Sequence, residues 1–297
     1  MNRSPFFYVG DKYKLMPQLI NIFPKKIDRL VEPFCGGGSV FLNTPASSYL
    51  ANDNNKWMIK LHEFLVKESK NREKFFKRIF ALIKEYGLSA SYLGIYAPEE
   101  LKLKYVKTYY AKFNKEAYTN LKADFNNDKS DLFRLYLLLI FGFNHMLRFN
   151  SAGDFNLPVG NVDFNNNVYK SLNAYFDFMA TNSVEFACLD FRNFLKKKNL
   201  NNSDFVYIDP PYLISSSEYN KNWTEKEERE LLSLIDELDS KGIKFALSNV
   251  FEHKGLKNNI LIEWAKKYNV FTVSSNYISY YDNSIKKDTI EVLITNY

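Results

Sequence analysis

The chain has 297 residues, enough for one large or two ordinary domains, and 46% of them are hydrophobic, so a full core can form. Its net charge of +6 favours a polyanionic partner without identifying one. No apolar run reaches the length of a membrane span and the N-terminal residues do not form a signal peptide, so we expect a soluble, cytoplasmic protein.

The histidines and cysteines do not predict a metal site. The three histidines are scattered along the chain, and the two cysteines, Cys35 and Cys188, lack the spacing of paired ligands. We therefore expect neither a zinc nor an iron–sulfur site.

The 26 phenylalanines and 21 tyrosines are more numerous than an ordinary core requires, so aromatic side chains are available for stacking.

The first 55 residues predict a strand, a glycine turn, a short helix and a second strand. The strand Arg29–Phe34 leads into Cys35-Gly36-Gly37-Gly38, the helix begins at Val40, and an acid, Asp53, ends the second strand. This order is typical of nucleoside-binding α/β folds, although the full pattern of spaced glycines for dinucleotides is absent. Three consecutive glycines allow the backbone to approach a ligand closely. Capping of a helix is the alternative role for Asp53.

A helical pattern replaces the α/β pattern between about Lys56 and Asn182. Apolar residues from Phe76 to Ile83 follow helical spacing, and Gly87 is a typical C-terminal stop. Lysines are interleaved with tyrosines between Leu101 and Lys122. This pattern suits a solvated helix face, and contact of some of these lysines with phosphates is the alternative. The segment from Phe143 to Pro158 predicts a loop that leads into a β-hairpin. We expect this block to be a separate insertion.

The α/β pattern resumes at Ser183, and its most informative stretch is Phe205 to Tyr212. β-Branched and aromatic residues predict a buried strand, which Asp209-Pro210-Pro211-Tyr212 then ends. A stiff loop at the carboxyl end of a strand is where open α/β sheets bind ligands. The carboxylate, the prolyl carbonyls and the flat ring suit a planar group bearing an NH₂, such as a nucleobase. A loop with a structural role alone is the alternative.

The remaining segments predict the rest of a sheet and its helices. A polar, lid-like segment runs from Ser215 to Trp223, and Thr224 with Glu227 then forms a capping box that begins a helix. Further strands are predicted at Phe245–Ser248, Val270–Ser274 and Ile290–Thr295.

Taken together and in this order, the motifs resemble those of Dam-type DNA adenine-N6 methyltransferases in their alpha arrangement. They are an aromatic-Gly-Lys start at Phe7–Lys12, Glu32-Pro33-Phe34-Cys35-Gly36-Gly37-Gly38-Ser39, Arg148-Phe149-Asn150 with Gly153, Phe155-Asn156 and Pro158, Asp209-Pro210-Pro211-Tyr212, and the closing Glu291–Tyr297. The resemblance covers nearly the whole chain. It implies an α/β, Rossmann-like class I methyltransferase sheet, with residues 1–55 and 183–297 as the catalytic domain. Residues 56–182 would be a mainly helical target-recognition domain carrying a β-hairpin.

The resemblance implies transfer of a methyl group from S-adenosylmethionine to N6 of an adenine flipped out of duplex DNA, without a metal. Lys12 suits the methionine carboxylate of the donor, and Asp53 suits its ribose hydroxyls. Asp209 and the Pro210 carbonyl would accept the two N–H groups of the amine, with Tyr212 stacked on the base. The catalytic residues implied are Asp209, Pro210, Pro211 and Tyr212. The donor-binding residues implied are Tyr8, Lys12, Glu32, Phe34, Gly36, Gly38, Asp53, Asp190, Phe191 and Asp209.

Positions that match the family's DNA-contacting residues lie around the predicted hairpin: Asn144, Met146, Arg148, Asn150 and Pro158. We expect Arg148 to recognise a guanine through a bidentate contact, with a phosphate contact as the alternative. The family commonly begins with a lysine that contacts the outermost guanine, but Phe7 stands there and Asp11 replaces a glycine. The target therefore stays open between GATC and a related, longer or degenerate site.

Two other functions remain open. One is a methyltransferase of the same fold acting on cytosine N4 or another amine, although Asp209 in place of Ser or Asn argues against it. The other is a non-catalytic DNA-binding subunit, against which Lys12 and Asp53 argue. Methylation of cytosine C5 would require a nucleophilic cysteine, and we expect Cys35 and Cys188 to be small core residues.

For partners, we expect a monomer that acts on double-stranded DNA. We expect a cytoplasmic protein, prokaryotic or phage-encoded, that is associated with the nucleoid through DNA binding. A restriction endonuclease that recognises the same site, without forming a stable complex, is the further partner that the resemblance implies.

Overall fold

A computed structural model describes residues 1–215, 223–274 and 289–297. The lid-like segment predicted before Trp223 falls largely on residues 216–222, outside the described residues. The chain divides into two compact units. Besides Met1, the first contains Lys12–Asn54 and Ser183–Tyr297, and the second contains Asn2–Asp11 and Asn55–Asn182. The predicted division differs at the N-terminus, because it assigned all of residues 1–55 to the sheet.

The first unit is built on a mixed β-sheet. Its strands are β1 (Arg29–Glu32), β2 (Ser48–Asn52), β3 (Val184–Ala187), β4 (Asp204–Ile208), β5 (Lys244–His253), β6 (Leu256–Lys257), β7 (Asn269–Val273) and β8 (Thr289–Thr295). Among the described residues the strand order is β3-β2-β1-β4-β5-β8-β7, with β6 paired to β5. The five strands from β3 to β5 are parallel, and β8 runs antiparallel to β5 and β7. The predicted Rossmann-like α/β sheet is confirmed.

Strand β1 lies between β2 and β4, which places three loops along one edge of the sheet. Val31 of β1 pairs with Leu50 on one side and with Val206 on the other. Because all three strands are parallel, the segments that follow them leave at their carboxyl ends together. This is the position at which open α/β sheets bind ligands. The glycine turn, Asp53 and Asp209 therefore all start from the same edge.

The helices occur in both units. They are α1 (Met16–Ile22), α2 (Lys56–Glu68), α3 (Arg72–Tyr86), α4 (Glu99–Lys104), α5 (Tyr109–Phe113), α6 (Lys115–Asn127), α7 (Leu132–Phe141), α8 (Asn166–Thr181), α9 (Phe191–Lys197), α10 (Glu225–Ser240) and α11 (Asn259–Ala265). In the first unit, side chains of α9, α10 and α11 such as Phe194, Ile235 and Leu261 share one hydrophobic core with strands β1, β4, β5 and β8. Strand β4 is buried along its whole length, as expected for a central parallel strand.

Two local predictions in the helices are confirmed. Helix α10 begins with a capping box in which the Thr224 side chain and the Glu227 side chain each accept a backbone hydrogen bond. Helix α3 ends at Gly87, whose φ of 76° is the left-handed conformation that glycine adopts at little cost.

Two other local predictions were wrong. The helix expected from Val40 is a series of turns, in which the Asn43 side chain donates to the Ser39 carbonyl at 2.8 Å. The segment from Leu101 to Lys122 contains the separate helices α4, α5 and the start of α6. Asn161, distant in sequence, accepts hydrogen bonds from two backbone N–H groups at the start of α5, and this contact favours a new helix start there.

The predicted β-hairpin of the second unit is formed by isolated bridges in place of continuous strands. Gly142 pairs with Val159 and Phe149 pairs with Phe155, both in antiparallel orientation. Between the two bridges, Asn144 and His145 both have φ near 50°, which interrupts the extended backbone that a strand requires.

Candidate active site

The glycine turn after β1 is closed by the residues that end β2. The N–H of Cys35 donates to the Asn52 carbonyl at 2.7 Å, and the N–H of Gly36 donates to Asp53 Oδ2 at 3.0 Å. Gly36 and Gly38 have φ of 46° and 79°, a backbone region that favours glycine. Helix α2 is capped by Asn55, so the alternative role for Asp53 as the cap of that helix is not observed.

Asn52 joins the loops that follow β1 and β3, a role that was not predicted from the sequence. Its buried side chain donates to the carbonyls of Pro33 and Leu189 and accepts from the Leu189 N–H, each at 2.9 Å. All the polar atoms of this carboxamide side chain are thus hydrogen-bonded, which favours a single arrangement of both loops.

An ion pair connects Lys12 with Asp209 in the loop after β4. Lys12 Nζ lies 2.7 Å from Asp209 Oδ2, and the two side chains are only 6% and 18% exposed. The Tyr212 hydroxyl donates to Asp209 Oδ1 at 3.1 Å and lies 3.5 Å from Glu291 Oε1. Lys12 Nζ is 5.2 Å from the centre of the Tyr212 ring. The arrangement holds a carboxylate, an ammonium and an aromatic face together at the carboxyl end of β4.

Glu32, at the end of β1, is a buried carboxyl group. Its side chain is 2% exposed, and Oε1 has no hydrogen-bond partner among the described residues. Burial raises the pKa of Glu32 well above its ordinary value; the backbone N–H of Phe41 opposes this shift, and the negative charge of Asp209 adds to it. An unpartnered buried acceptor beside a glycine turn fits a ligand that carries a positively charged donor group.

Three aromatic rings pack against one another beside this site. The Phe34 ring lies 5.4 Å from Phe191 and 5.9 Å from Trp223, and Phe191 lies 5.5 Å from Trp223. The Trp223 indole N–H donates to Glu228 at 2.7 Å. Asp190 caps α9 and pairs with Arg192 at 2.8 Å. Phe34 and Phe191 were predicted as donor-binding residues, whereas Trp223 and Glu228 were not identified from the sequence.

The predicted donor-binding residues are divided between the two units. Tyr8 belongs to the second unit, where its phenol oxygen accepts a hydrogen bond from Asn55 at 3.4 Å. The others, in the first unit, are Lys12, Glu32, Phe34, Gly36, Gly38, Asp53, Asp190, Phe191 and Asp209. The catalytic residues predicted with Asp209 follow it directly: Pro210 is buried, and Pro211 and Tyr212 are half-buried. The described residues contain no group of three or more His, Cys, Asp or Glu side chains that could hold a metal ion.

The predicted DNA-contacting residues lie in the second unit, between α7 and α8. Arg148 donates from Nε and Nη2 to the side chain and carbonyl of Asn156, at 3.0 and 2.7 Å. Asn150 accepts from the Asp154 N–H at 2.8 Å and thereby closes the turn of the hairpin. Asn144 has its φ of 53° in the preceding loop, and Pro158 is exposed.

Three side chains differ in exposure from what their residue types suggested. Met146 is only 9% exposed, so its side chain packs within the unit and offers little surface. Phe143 is 51% exposed, and no role was predicted for it beyond the start of the loop; the break after an apolar helix was the available signal. Cys35 is buried as expected, but Cys188 is exposed, so the core assignment was wrong for Cys188.

In the described part of the chain, no helix is both long and apolar enough to span a membrane.

Similar proteins include both modification enzymes and general DNA adenine methylases. The chain is 36% identical over 303 aligned positions to the type II methyltransferase M.FokI of Planomicrobium okeanokoites, covering 99% of this chain and 43% of that protein. It is 34% identical over 305 positions to the modification methylase StsI of Streptococcus sanguinis, with 99% and 43% covered. It is 26% identical over 257 positions to the DNA adenine methylase of Salmonella typhi, with 84% and 81% covered.

The chain thus spans less than half the length of the first two relatives. A family profile, described as D12 class N6 adenine-specific DNA methyltransferase, matches residues 8–278. That range contains the glycine turn, the Lys12–Asp209 pair and the hairpin. The match agrees with the resemblance that the ordered motifs indicated, and the chain belongs to the D12 class N6 adenine-specific DNA methyltransferases.

Proposed function

We propose that this chain transfers a methyl group from S-adenosylmethionine to N6 of adenine in double-stranded DNA. The observation that carries the proposal is the Asp209 carboxylate, held by Lys12 at 2.7 Å on the edge of the sheet where the glycine turn also leaves. Membership of the D12 class supports adenine, rather than cytosine N4 or another amine, as the acceptor.

Asp209 prepares the acceptor nitrogen. The N6 amine of adenine is a poor nucleophile because its lone pair is delocalised into the ring. Asp209 and the Pro210 carbonyl accept its two N–H groups, which favours a tetrahedral nitrogen with an available lone pair. Both Asp209 oxygens already accept hydrogen bonds, from Lys12 and from Tyr212. Each carboxylate oxygen has two lone pairs and can accept more than one hydrogen bond.

Lys12 has two roles in this proposal. Its ammonium lies against Asp209 and so favours the ionised carboxylate that the amine requires. The same side chain can also pair with the carboxylate of a bound donor, as the family resemblance implies.

The residues around the glycine turn fit the donor. S-adenosylmethionine, when bound, supplies an activated methyl group on a sulfonium. Glu32 Oε1, buried and unpartnered among the described residues, suits the ammonium of its methionyl part. Asp53 suits the ribose hydroxyls, and the rings of Phe34 and Phe191 suit the apolar faces of the donor. Because direct transfer needs no covalent intermediate on the protein, these residues act through positioning.

Tyr212 and the helical unit hold the DNA. Stacking on Tyr212 is worth about 1–3 kcal/mol, similar to the few kcal/mol that extrusion of a base costs. Stacking alone therefore does not stabilise the extruded base decisively. Contacts from the hairpin, with Arg148 as the residue that recognises a guanine, supply the remaining free energy and the sequence preference.

We also propose a role in restriction–modification. The names of the relatives, a type II methyltransferase and a modification methylase, support a partner endonuclease that recognises the same site without a stable complex. A DNA substrate would place the protein in the cytoplasm of a prokaryotic or phage-carrying cell, where we expect it to act as a monomer. Long-read sequencing of DNA from cells that express the chain would identify the methylated sequence.

The catalytic assignment is tested by Asp209→Asn and Asp209→Ala. We expect both variants to lose at least about 100-fold in methyl transfer to duplex DNA, because the acceptor amine loses a charged hydrogen-bond partner. Binding of S-adenosylmethionine, measured by calorimetry, should be largely retained. Digestion of DNA methylated by the wild-type chain should yield N6-methyldeoxyadenosine.

The matched control is Asp28→Asn, which removes an exposed carboxylate outside the loop after β4. It should keep wild-type turnover. Wild-type turnover by the two Asp209 variants, or methylcytosine as the modified nucleoside, would show that the proposed function is wrong.

A further inference from the structure

The hairpin that carries Arg148 pairs its two arms only briefly. The N–H of Asn150 donates to the Asp154 carbonyl at 2.9 Å, and the N–H of Asn156 donates to the Arg148 carbonyl at 3.0 Å. Phe149 and Phe155 lie between these bonds as the facing pair that exchanges no backbone hydrogen bonds. The backbone polar groups of Phe155 therefore point away from the opposite arm and need partners elsewhere.

Asn126, on the last turn of α6, supplies those partners. Its Nδ2 donates to the Phe155 carbonyl at 3.1 Å, and its Oδ1 accepts from the Phe155 N–H at 2.8 Å. One carboxamide thus makes the two hydrogen bonds that a neighbouring strand would make. Nearby, Lys129 Nζ lies 2.8 Å from Asp154 Oδ1. The outer edge of the hairpin is therefore bonded at Phe155 to the last turn of α6 and at Asp154 to the loop that follows this helix.

Aromatic rings hold the opposite arm. Phe149 stacks on Trp57 of α2 with ring centres 4.9 Å apart and an angle of 10° between the planes. Phe125, next to Asn126, lies 5.9 Å from Trp57 and 6.2 Å from Phe155 in edge-on contacts. Both arms are consequently attached to helices of the same unit at the level of the Phe149–Phe155 pair.

This attachment lies beside the guanidinium of Arg148. Arg148 and Asn156 immediately flank the Phe149–Phe155 pair, and Asn156 orients the guanidinium through its side chain and its carbonyl. A shift of Phe155 would move Asn156 and would release that orientation. A bidentate contact to a base requires the guanidinium plane to be held in one direction.

We propose that Asn126 is a positioning residue for site recognition, which sets the orientation of Arg148 by holding the backbone of Phe155. The proposal rests on the proposed function, because it assigns Arg148 to base recognition. It predicts that Asn126 influences which DNA is methylated more than how fast a bound target reacts.

The test compares Asn126→Ala with Asn127→Ala, which changes the exposed neighbouring residue. Turnover is measured on duplexes with the methylated sequence and with single substitutions in it. We expect Asn126→Ala to raise KM for the duplex with the methylated sequence. The preference for that duplex over the duplexes with single substitutions should fall by about tenfold or more. The kcat at saturating DNA and the Kd for S-adenosylmethionine should stay near wild type. Asn127→Ala should match wild type throughout.

Asn126→Asp is the conservative variant in shape, since it keeps the acceptor for the Phe155 N–H while a negatively charged acceptor replaces the donor to the Phe155 carbonyl. It should restore part of the discrimination, and it serves as the test should the alanine variant not fold. Discrimination equal to wild type in a folded Asn126→Ala variant would overturn the proposal. Equal weakening on all duplexes would also overturn it, because that result indicates general loosening. Were the wild-type chain inactive on adenine, the proposed function would fail, and discrimination measured by fluorescence anisotropy would still decide the role of Asn126.

Discussion

At the scale of single residues, the candidate site combines two charges that stabilise each other with a buried carboxyl group, of which one oxygen has no hydrogen-bond partner among the described residues. Lys12 and Asp209 form a mostly buried ion pair, so each offsets the desolvation of the other. Glu32 is buried beside them, and the pKa of its carboxyl is raised well above 4.5 by that burial, with a further increase from Asp209. Ionisation of such a buried acid costs folding free energy, and groups of this kind are common at ligand-binding sites.

Glu32→Gln should therefore stabilise the free protein in a pH-dependent way. A carboxyl whose pKa is raised on folding gives its full stability below the unfolded pKa and loses it as pH rises towards the folded pKa. The free energy of unfolding of wild type should fall relative to the variant as pH increases above about 4.5. Urea denaturation at several pH values measures this difference, and a difference that is constant with pH would contradict the assignment.

The same substitution should weaken donor binding, because the neutral amide can accept a hydrogen bond from an ammonium but cannot form an ion pair with it. Calorimetry at pH 7 checks this outcome independently of any DNA substrate. A variant that is both more stable and weaker in donor binding would show that Glu32 is held in its buried position for function.

At the scale of elements, the start of α10 links helix formation to the aromatic cluster of Phe34, Phe191 and Trp223. Trp223 precedes the capping residue Thr224, and its indole donates to Glu228 within the first turns of the helix. Glu228 also accepts hydrogen bonds from Asn249 and Asn258, and burial raises its pKa. The first turn of α10 therefore orients a ring that packs directly on the predicted donor-binding residues.

Thr224→Ala should destabilise the protein by about 1 kcal/mol, the usual contribution of an N-cap side chain. The hydroxyl accepts from the Lys226 N–H at 3.2 Å, and the alanine variant leaves that group without its partner. Thr224→Ser keeps the hydroxyl and should stay close to wild type. Chemical denaturation followed by circular dichroism measures both variants, and equal losses would indicate that the cap is not the cause.

At the scale of the whole molecule, charge and composition suit a polyanionic partner. The chain carries 40 Lys and Arg against 34 Asp and Glu. The second unit holds 20 of these Lys and Arg residues and 14 of the Asp and Glu residues, so the excess lies there. Lys104 and Lys112 of this unit lie 5.5 and 5.1 Å from the Tyr105 ring. Lysines of this kind contact phosphates without regard to sequence, whereas the hairpin can supply sequence preference.

Binding of duplex DNA should consequently depend on salt much more than binding of the donor does. Each phosphate that the protein neutralises contributes a slope of about 0.9 to the decrease of log affinity with log salt concentration. Between 50 and 200 mM salt we expect about a tenfold or greater loss for DNA and about a twofold or smaller change for S-adenosylmethionine. Fluorescence anisotropy measures the affinity for DNA, and calorimetry measures the affinity for S-adenosylmethionine. DNA binding that is unaffected by salt would contradict an electrostatic interface.

The local features of the fold could be predicted from the sequence because each depends on the backbone limits of a few adjacent residues. The strand that Asp209-Pro210-Pro211 ends, the stop of α3 at Gly87 and the capping box at Thr224 are of this kind. The ordered motifs also sufficed to indicate the family. Where nearby residues did not decide the backbone, as at Val40, the prediction was wrong.

Only the tertiary structure decided which side chains meet. Lys12 on Asp209, Asn52 between the loops after β1 and β3, and Asn126 on the backbone of Phe155 each join segments that are distant in sequence. Such contacts depend on how strands align and loops close, and a residue type alone does not specify them. A lysine or an asparagine has the same local preferences at many positions, so its partner is determined by the packing that brings a buried polar group to it.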